Sequence, residues 1–96
     1  MDRNGYNPSL FNTSEYECYA CRREGITLVR HEVIHGANRQ LAKKYGLWIY
    51  VCPRCHAEIH KEDNGKYRFL KEYAQRYFES EYPDKDFLAI FGRKYI

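Results

Sequence analysis

No stretch of apolar side chains in this 96-residue chain approaches the roughly 20 residues that a membrane-spanning helix needs. The first seventeen residues are polar and lack the apolar core of a secretory signal. The chain has no internal repeat and no low-complexity segment. It has three prolines and four cysteines, and no cysteine is left over once they are paired. These absences argue against a membrane-spanning helix and a repeat architecture, and lead to the expectation of a cytoplasmic protein. In that compartment paired cysteines indicate metal more often than disulfide.

The composition is that of one small globular domain: 44% hydrophobic, with ten tyrosines and five phenylalanines. A domain of this size buries little apolar surface, and such domains often add a metal or disulfides. The formal net charge is only +3, but it is unevenly spread. Between Cys18 and Lys61 there are eight arginines or lysines against three glutamates, which is +5; the rest carries −2. A basic segment suits a polyanion such as nucleic acid, although a solvated charged surface has the same composition.

Residues 1–17 read as an irregular lead-in, with Asn4-Gly5, Asn7-Pro8 and several Ser and Thr. Cys18-Tyr-Ala-Cys21 forms a tight knuckle. Ile26–Arg30 is β-branched and apolar, a strand, and Leu47–Val51 is the strongest strand signal. Between them Asn38–Tyr45 forms a short helix closed by Gly46. A helix is expected from His56 to about Asp63, and another over 67–80, where Leu70, Tyr73, Tyr77 and Phe78 recur at three and four. Asp84 is expected to cap a last helix that runs through Phe91 and stops at Gly92. The domain is thus α+β: a core at 18–64 with C-terminal helices at 65–96, packed through Leu70, Tyr73, Tyr77, Phe78, Phe87, Ile90 and Phe91.

Cys18, Cys21, Cys52 and Cys55 follow the pattern C-x2-C, thirty residues, C-x2-C. Two intervening residues let one turn present two thiolates to one tetrahedral ion, and four protein ligands leave no open position for substrate. The expected role of a zinc ion here is structural. Two disulfides or four free thiols are the alternatives.

All four histidines, His31, His35, His56 and His60, lie in one 30-residue stretch. His56 and His60 are four apart, on one helix face, where two imidazoles can share a divalent ion. His31 and Glu32 stand where the first strand ends. One could complete the metal site and the other take a proton from water. His35 could touch substrate or be solvated. Asn38 could orient a loop or a histidine, or cap a helix. Arg39 could grip a phosphate bidentately, or lie on the surface.

Taken in order, C-x2-C, a strand ending His31-Glu32-Val33, a second strand, and Cys52-Pro-Arg-Cys55-His56-x3-His60 resemble the HNH endonuclease superfamily with its ββα-metal finger. The likeness is to small phage-type HNH nucleases with a four-cysteine zinc. It extends to His31-Glu-Val-Ile-x-Gly36, Asn38-Arg39-Gln40, Lys44-Tyr45-Gly46-Leu47 and the ending Phe91-Gly-Arg-Lys-Tyr-Ile96, so it covers 18–96.

The resemblance implies one catalytic divalent ion (Mg²⁺, Mn²⁺, Ni²⁺ or Zn²⁺) between the strand end and the helix, held by His56 and His60. It implies DNA, double-stranded, as substrate in a phage-infected or prophage-bearing bacterial cell. A protein partner could supply specificity, because nothing here encodes base readout. The family order, ligand then base, makes His31 the ligand and Glu32 the base. Side-chain chemistry favours the reverse, with His31 as base and Glu32 on the metal. The family's middle Asn lies just before the second strand, where this chain has Tyr45-Gly46; Asn38 is the candidate substitute. A zinc-stabilised binding module without catalysis is the alternative function.

Overall fold

The computed structural model describes residues 2–34, 36–61 and 65–96. It is a small α+β domain in which two short strands, β1 (Val29–Glu32) and β2 (Trp48–Val51), pair antiparallel. A single 3-10 turn (Gly36–Asn38) and helix α1 (Arg39–Lys44) connect them. Three helices follow: α2 (Pro53–Lys61), α3 (Arg68–Glu81) and α4 (Phe87–Phe91). Among the described residues no helix is long and apolar enough to cross a membrane.

Register decides what each strand residue does. Arg30 lies opposite Tyr50 and Glu32 opposite Trp48, while His31 lies opposite Ile49 and Val29 opposite Val51. Side chains alternate along a strand, so these four pairs divide between two faces of the ribbon. One face carries His31, Ile49 and Val51, all buried, and meets α2. The other carries Arg30, Glu32, Trp48 and Tyr50, and meets the N-terminal segment.

That segment is irregular in backbone, as expected, but it is not a loose lead-in. Phe11 is buried against Tyr19 and Tyr77. The Trp48 indole donates to the Asn7 carbonyl at 2.7 Å, and the Ser9 hydroxyl donates to the Trp48 carbonyl. The Leu10 N–H donates to the Gly46 carbonyl at 2.8 Å. Residues 2–13 therefore cover one face of a ribbon too small to be stable alone.

Gly46 is where this docking is tightest. Its φ is +73°, and a Cβ there would run into the carbonyl oxygen of Pro8. Gly46→Ala is therefore expected to destabilise by about 2–5 kcal/mol, from left-handed backbone strain plus overpacking. Urea unfolding would measure it, with Gly25→Ala, where the added Cβ meets open space, as the comparison.

Helix α2 starts three residues earlier than expected, at Pro53. Proline suits the first helical position, where its missing N–H costs nothing. The second knuckle is thus the first turn of α2, and the His56 N–H bonds the Cys52 carbonyl at 2.9 Å. Cys55 and Ile59 face the core, while His56 and His60 occupy the neighbouring stripe.

The C-terminal helices pack through Leu70, Ala74, Phe78, Phe87 and Phe91, all buried. Phe78 has edge contacts with Tyr45, Phe87 and Phe91 at 5.2–5.6 Å between centroids. Tyr77 and Ile90 are partly buried against this core, but Tyr73, expected within it, is exposed. The buried position is taken by Gln75, whose Oε1 accepts the backbone N–H groups of Tyr95 and Ile96. The cap of α4 is Asp86, not Asp84: its carboxylate accepts from Leu88 N at 3.1 Å. Gly92 ends the helix with φ +81°, as read from the sequence.

Candidate metal centre and cleft

The four cysteines come together. Their sulfurs all lie within 4.8 Å of one another, and none is in a disulfide. Cys21 and Cys52 sulfurs are 4.0 Å apart, against the separation of about 3.8 Å that a tetrahedral zinc with 2.3 Å bonds imposes. Backbone N–H groups already point at the sulfurs: those of Cys21 and Cys52 at Cys18, and that of Cys55 at Cys52. This is an arrangement prepared for thiolate. Burial opposes charge on Cys18, yet the N–H donors of Cys21, Cys52 and Ala20 outweigh it and bring the thiol down to about 7. Cys55 goes the other way, raised by burial and then by the neighbouring sulfurs. Four thiols this close cannot all ionise unless a cation neutralises them. The donor set thus fits a soft or borderline divalent ion.

The second convergence is on the neighbouring stripe of α2. A ligand nitrogen from each of His31, His56 and His60 lies within 4.8 Å of the others. The Nε2 atoms of His56 and His60 are 3.0 Å apart, which suits either a hydrogen bond or two bonds of about 2.0–2.1 Å to a shared ion. The ring of His31 stands 5.2 Å from both of theirs. His31 is buried, His60 exposed and His56 between them, so the cluster runs from floor to mouth of a cleft. Burial, then the charge of His60, lowers the pKa of His56, with Glu32 opposing. The shift favours the neutral imidazole, the form that binds metal.

The cleft has a volume of about 470 Å³ and is lined by these three histidines together with Arg30, Glu32, Gly36 and Arg39. Glu32, although adjacent to His31, does not take the same place. Strand alternation turns its carboxylate towards the ribbon's other face, where it borders the cleft without joining the three histidines. There Tyr6 donates its hydroxyl to Oε2 at 2.9 Å, and Arg39 donates Nε–H to Oε1. Glu32 is 7% exposed, so these partners are what satisfies a buried charge. Burial and then the bond to Glu32 push the Tyr6 phenol up to about 12, so it remains a donor.

Asn38 does not approach the cluster. It neither caps α1 with its side chain nor lines the cleft; its amide donates to the Phe91 carbonyl at 2.8 Å and ties α1 to α4. His35 and the expected helix end at Asp63 lie outside the described residues. Tyr6 and Arg30 are the cleft neighbours that sequence reasoning missed. The only signal for Tyr6 was an aromatic residue inside a polar segment, which is too weak to name a site.

The chain matches no protein-family model, no curated protein and no solved structure. The two clusters and the cleft are the features from which a function can be read.

Proposed function

We propose that this chain is a metal-dependent DNA endonuclease of the HNH, ββα-metal type, with a structural zinc on Cys18, Cys21, Cys52 and Cys55. The observation that carries the reading is the convergence of His31, His56 and His60 in a cleft that also holds a buried carboxylate and two arginines. His31, His56 and His60 would hold the catalytic divalent ion. When bound, such an ion supplies Lewis acidity to a phosphate oxygen and offsets charge on the leaving oxygen.

The other steps belong to the chain's own groups. Glu32 takes the proton of the attacking water; a carboxylate has about four acceptor positions, and Tyr6 and Arg39 use two. Arg39, 60% exposed, offers its guanidinium to the phosphate. Arg30 adds positive charge where it lines the cleft. The chemical preference for His31 as base and Glu32 on the metal is thus reversed in our reading. Asn38 acts structurally. The +5 segment supplies sequence-independent affinity for the backbone of double-stranded DNA.

The test is plasmid nicking with Mg²⁺, Mn²⁺ or Ni²⁺ added, wild type beside His31→Ala. Identical behaviour of the two proteins would sink the proposal. Three imidazoles also set a metal preference. Calorimetry is expected to show Ni²⁺ or Zn²⁺ binding at least about tenfold more tightly than Mg²⁺, which prefers carboxylate and water. Binding should weaken as pH falls below about 6.5, because protons then compete for imidazole. The lowered pKa of His56 places its share of that loss below the ordinary histidine value.

The second reading is a zinc-stabilised module that binds nucleic acid or protein without catalysis. The engagement of both Glu32 oxygens favours it. Nicking that requires both metal and His56 would eliminate it.

A further inference from the structure

We propose that Tyr6 is a positioning residue of the cleft: its hydroxyl fixes the Glu32 carboxylate, and through Glu32 it aims Arg39. This rests on the reading of the cleft as a phosphodiester hydrolase site, and it gives the N-terminal segment a part in that site beyond covering the ribbon.

The Tyr6 ring is held from several sides. The guanidinium of Arg30 lies over it at 4.4 Å from the centroid and the Lys43 ammonium at 4.6 Å. Trp48 meets it edge-on at 5.4 Å. At the next residue the backbone is pinned twice: the Asn7 N–H donates to the Lys43 carbonyl, and the Asn7 carbonyl accepts from the Trp48 indole. Cation–π and edge contacts need only the ring. The hydroxyl is therefore surplus to the packing, and its partner is Glu32 Oε2 at 2.9 Å.

Glu32 has two groups to orient it, the Tyr6 hydroxyl and Arg39. A carboxylate rotates readily about its last bond, so one donor leaves its plane loosely set and two donors on different oxygens define it. Arg39 is mostly exposed, on the first residue of α1, and forms an ion pair with Glu32. Removing the Tyr6 hydroxyl therefore loosens the carboxylate, and a loosened carboxylate no longer sets the guanidinium. Positioning of this kind matters because small misplacements of reacting groups cost rate steeply.

Tyr6→Phe removes the hydroxyl and keeps the ring. Ser9→Ala is the control, since it releases the same segment from the Trp48 carbonyl without touching Glu32. The first readout is NMR of the Arg39 Nε–H, assigned with Arg39→Lys, in the zinc-loaded protein without added substrate. We expect hydrogen exchange at that proton to accelerate at least about fivefold in Tyr6→Phe and to remain at the wild-type rate in Ser9→Ala. The second readout is cleavage of a short labelled duplex: kcat is expected to fall about tenfold in Tyr6→Phe, a fraction of what a positioned base contributes. In a Glu32→Gln background the same substitution should change kcat by less than twofold. An unchanged Arg39 signal in Tyr6→Phe overturns the proposal whatever the protein does to DNA. So does a kcat loss in Ser9→Ala that matches Tyr6→Phe at equal loss of melting temperature. If the Arg39 signal responds as expected but the wild-type protein cuts no DNA, positioning of Arg39 by Tyr6 stands and the endonuclease reading falls.

Discussion

Stripping zinc with a strong chelator under reducing conditions, or Cys52→Ser, is expected to abolish the cooperative unfolding transition of this domain. The magnitude follows from comparing two quantities. A structural zinc contributes about 10–16 kcal/mol to the folding of small zinc domains. The whole stability of an ordinary domain is about 5–15 kcal/mol. The position of the cluster makes the loss general rather than local. It joins the knuckle at 18–21 to the end of β2 and the first turn of α2, and Cys18, Cys52 and Cys55 are each at most 2% exposed. Without a cation, burial and then the neighbouring sulfurs hold Cys55 in its protonated form, so the metal-free fold lacks the thiolate set that a metal would tie together. Circular dichroism melting curves check the effect, and native mass spectrometry should find one zinc bound by the cysteines. A chelated, reduced protein that melts like the untreated one would show that the cysteines are not a metal site.

If the cleft is the proposed endonuclease site, His56→Ala and His60→Ala are each expected to lower metal-dependent cleavage by about three orders of magnitude while the fold survives. The size corresponds to the several kcal/mol of charge stabilisation that a Lewis acid supplies, at tenfold for each 1.36 kcal/mol. Survival is expected because His60 is exposed and His56 half-buried, so truncation opens no core cavity. His31 differs: at 2% exposure beneath the other two, its truncation costs packing as well as a ligand. The helix-borne pair therefore gives the cleaner test. Single-turnover rates with saturating Mn²⁺ or Ni²⁺, beside unchanged zinc content and circular dichroism, check it. Full activity in both variants would remove the three-histidine site from the mechanism.

Much of this architecture was legible in the residues. The double C-x2-C spacing predicts a four-sulfur cluster, and the structure forms one. Leu47–Val51 predicts a strand, found at Trp48–Val51. The spacing over 67–80 predicts a helix, found at Arg68–Glu81. Such signals are local: a knuckle, an alternation and a period each depend on neighbours a few residues away. The differences come from distant chain. β-branching over Ile26–Arg30 predicts the first strand there, whereas pairing with β2 puts it at Val29–Glu32. Tyr73 shares its helical period with core residues, but the C-terminal tail docks on Gln75 instead.

The sequence by itself determined which chemistry is present: four thiols at ligand spacing, two histidines on one helix face, and a His-Glu pair at a strand end. It also determined that His31 and Glu32 point apart if they lie in a strand, since alternation follows from backbone geometry alone. Only the tertiary structure decided which of the two faces α2. That choice depends on what covers each side of a two-stranded ribbon, and both covers come from distant chain. Helix α2 brings His56 and His60 to His31, while the N-terminal segment brings Tyr6 to Glu32. Contacts between residues 25 or more positions apart leave no periodic trace in a sequence, because many segments could occupy the same face at similar cost in chain entropy.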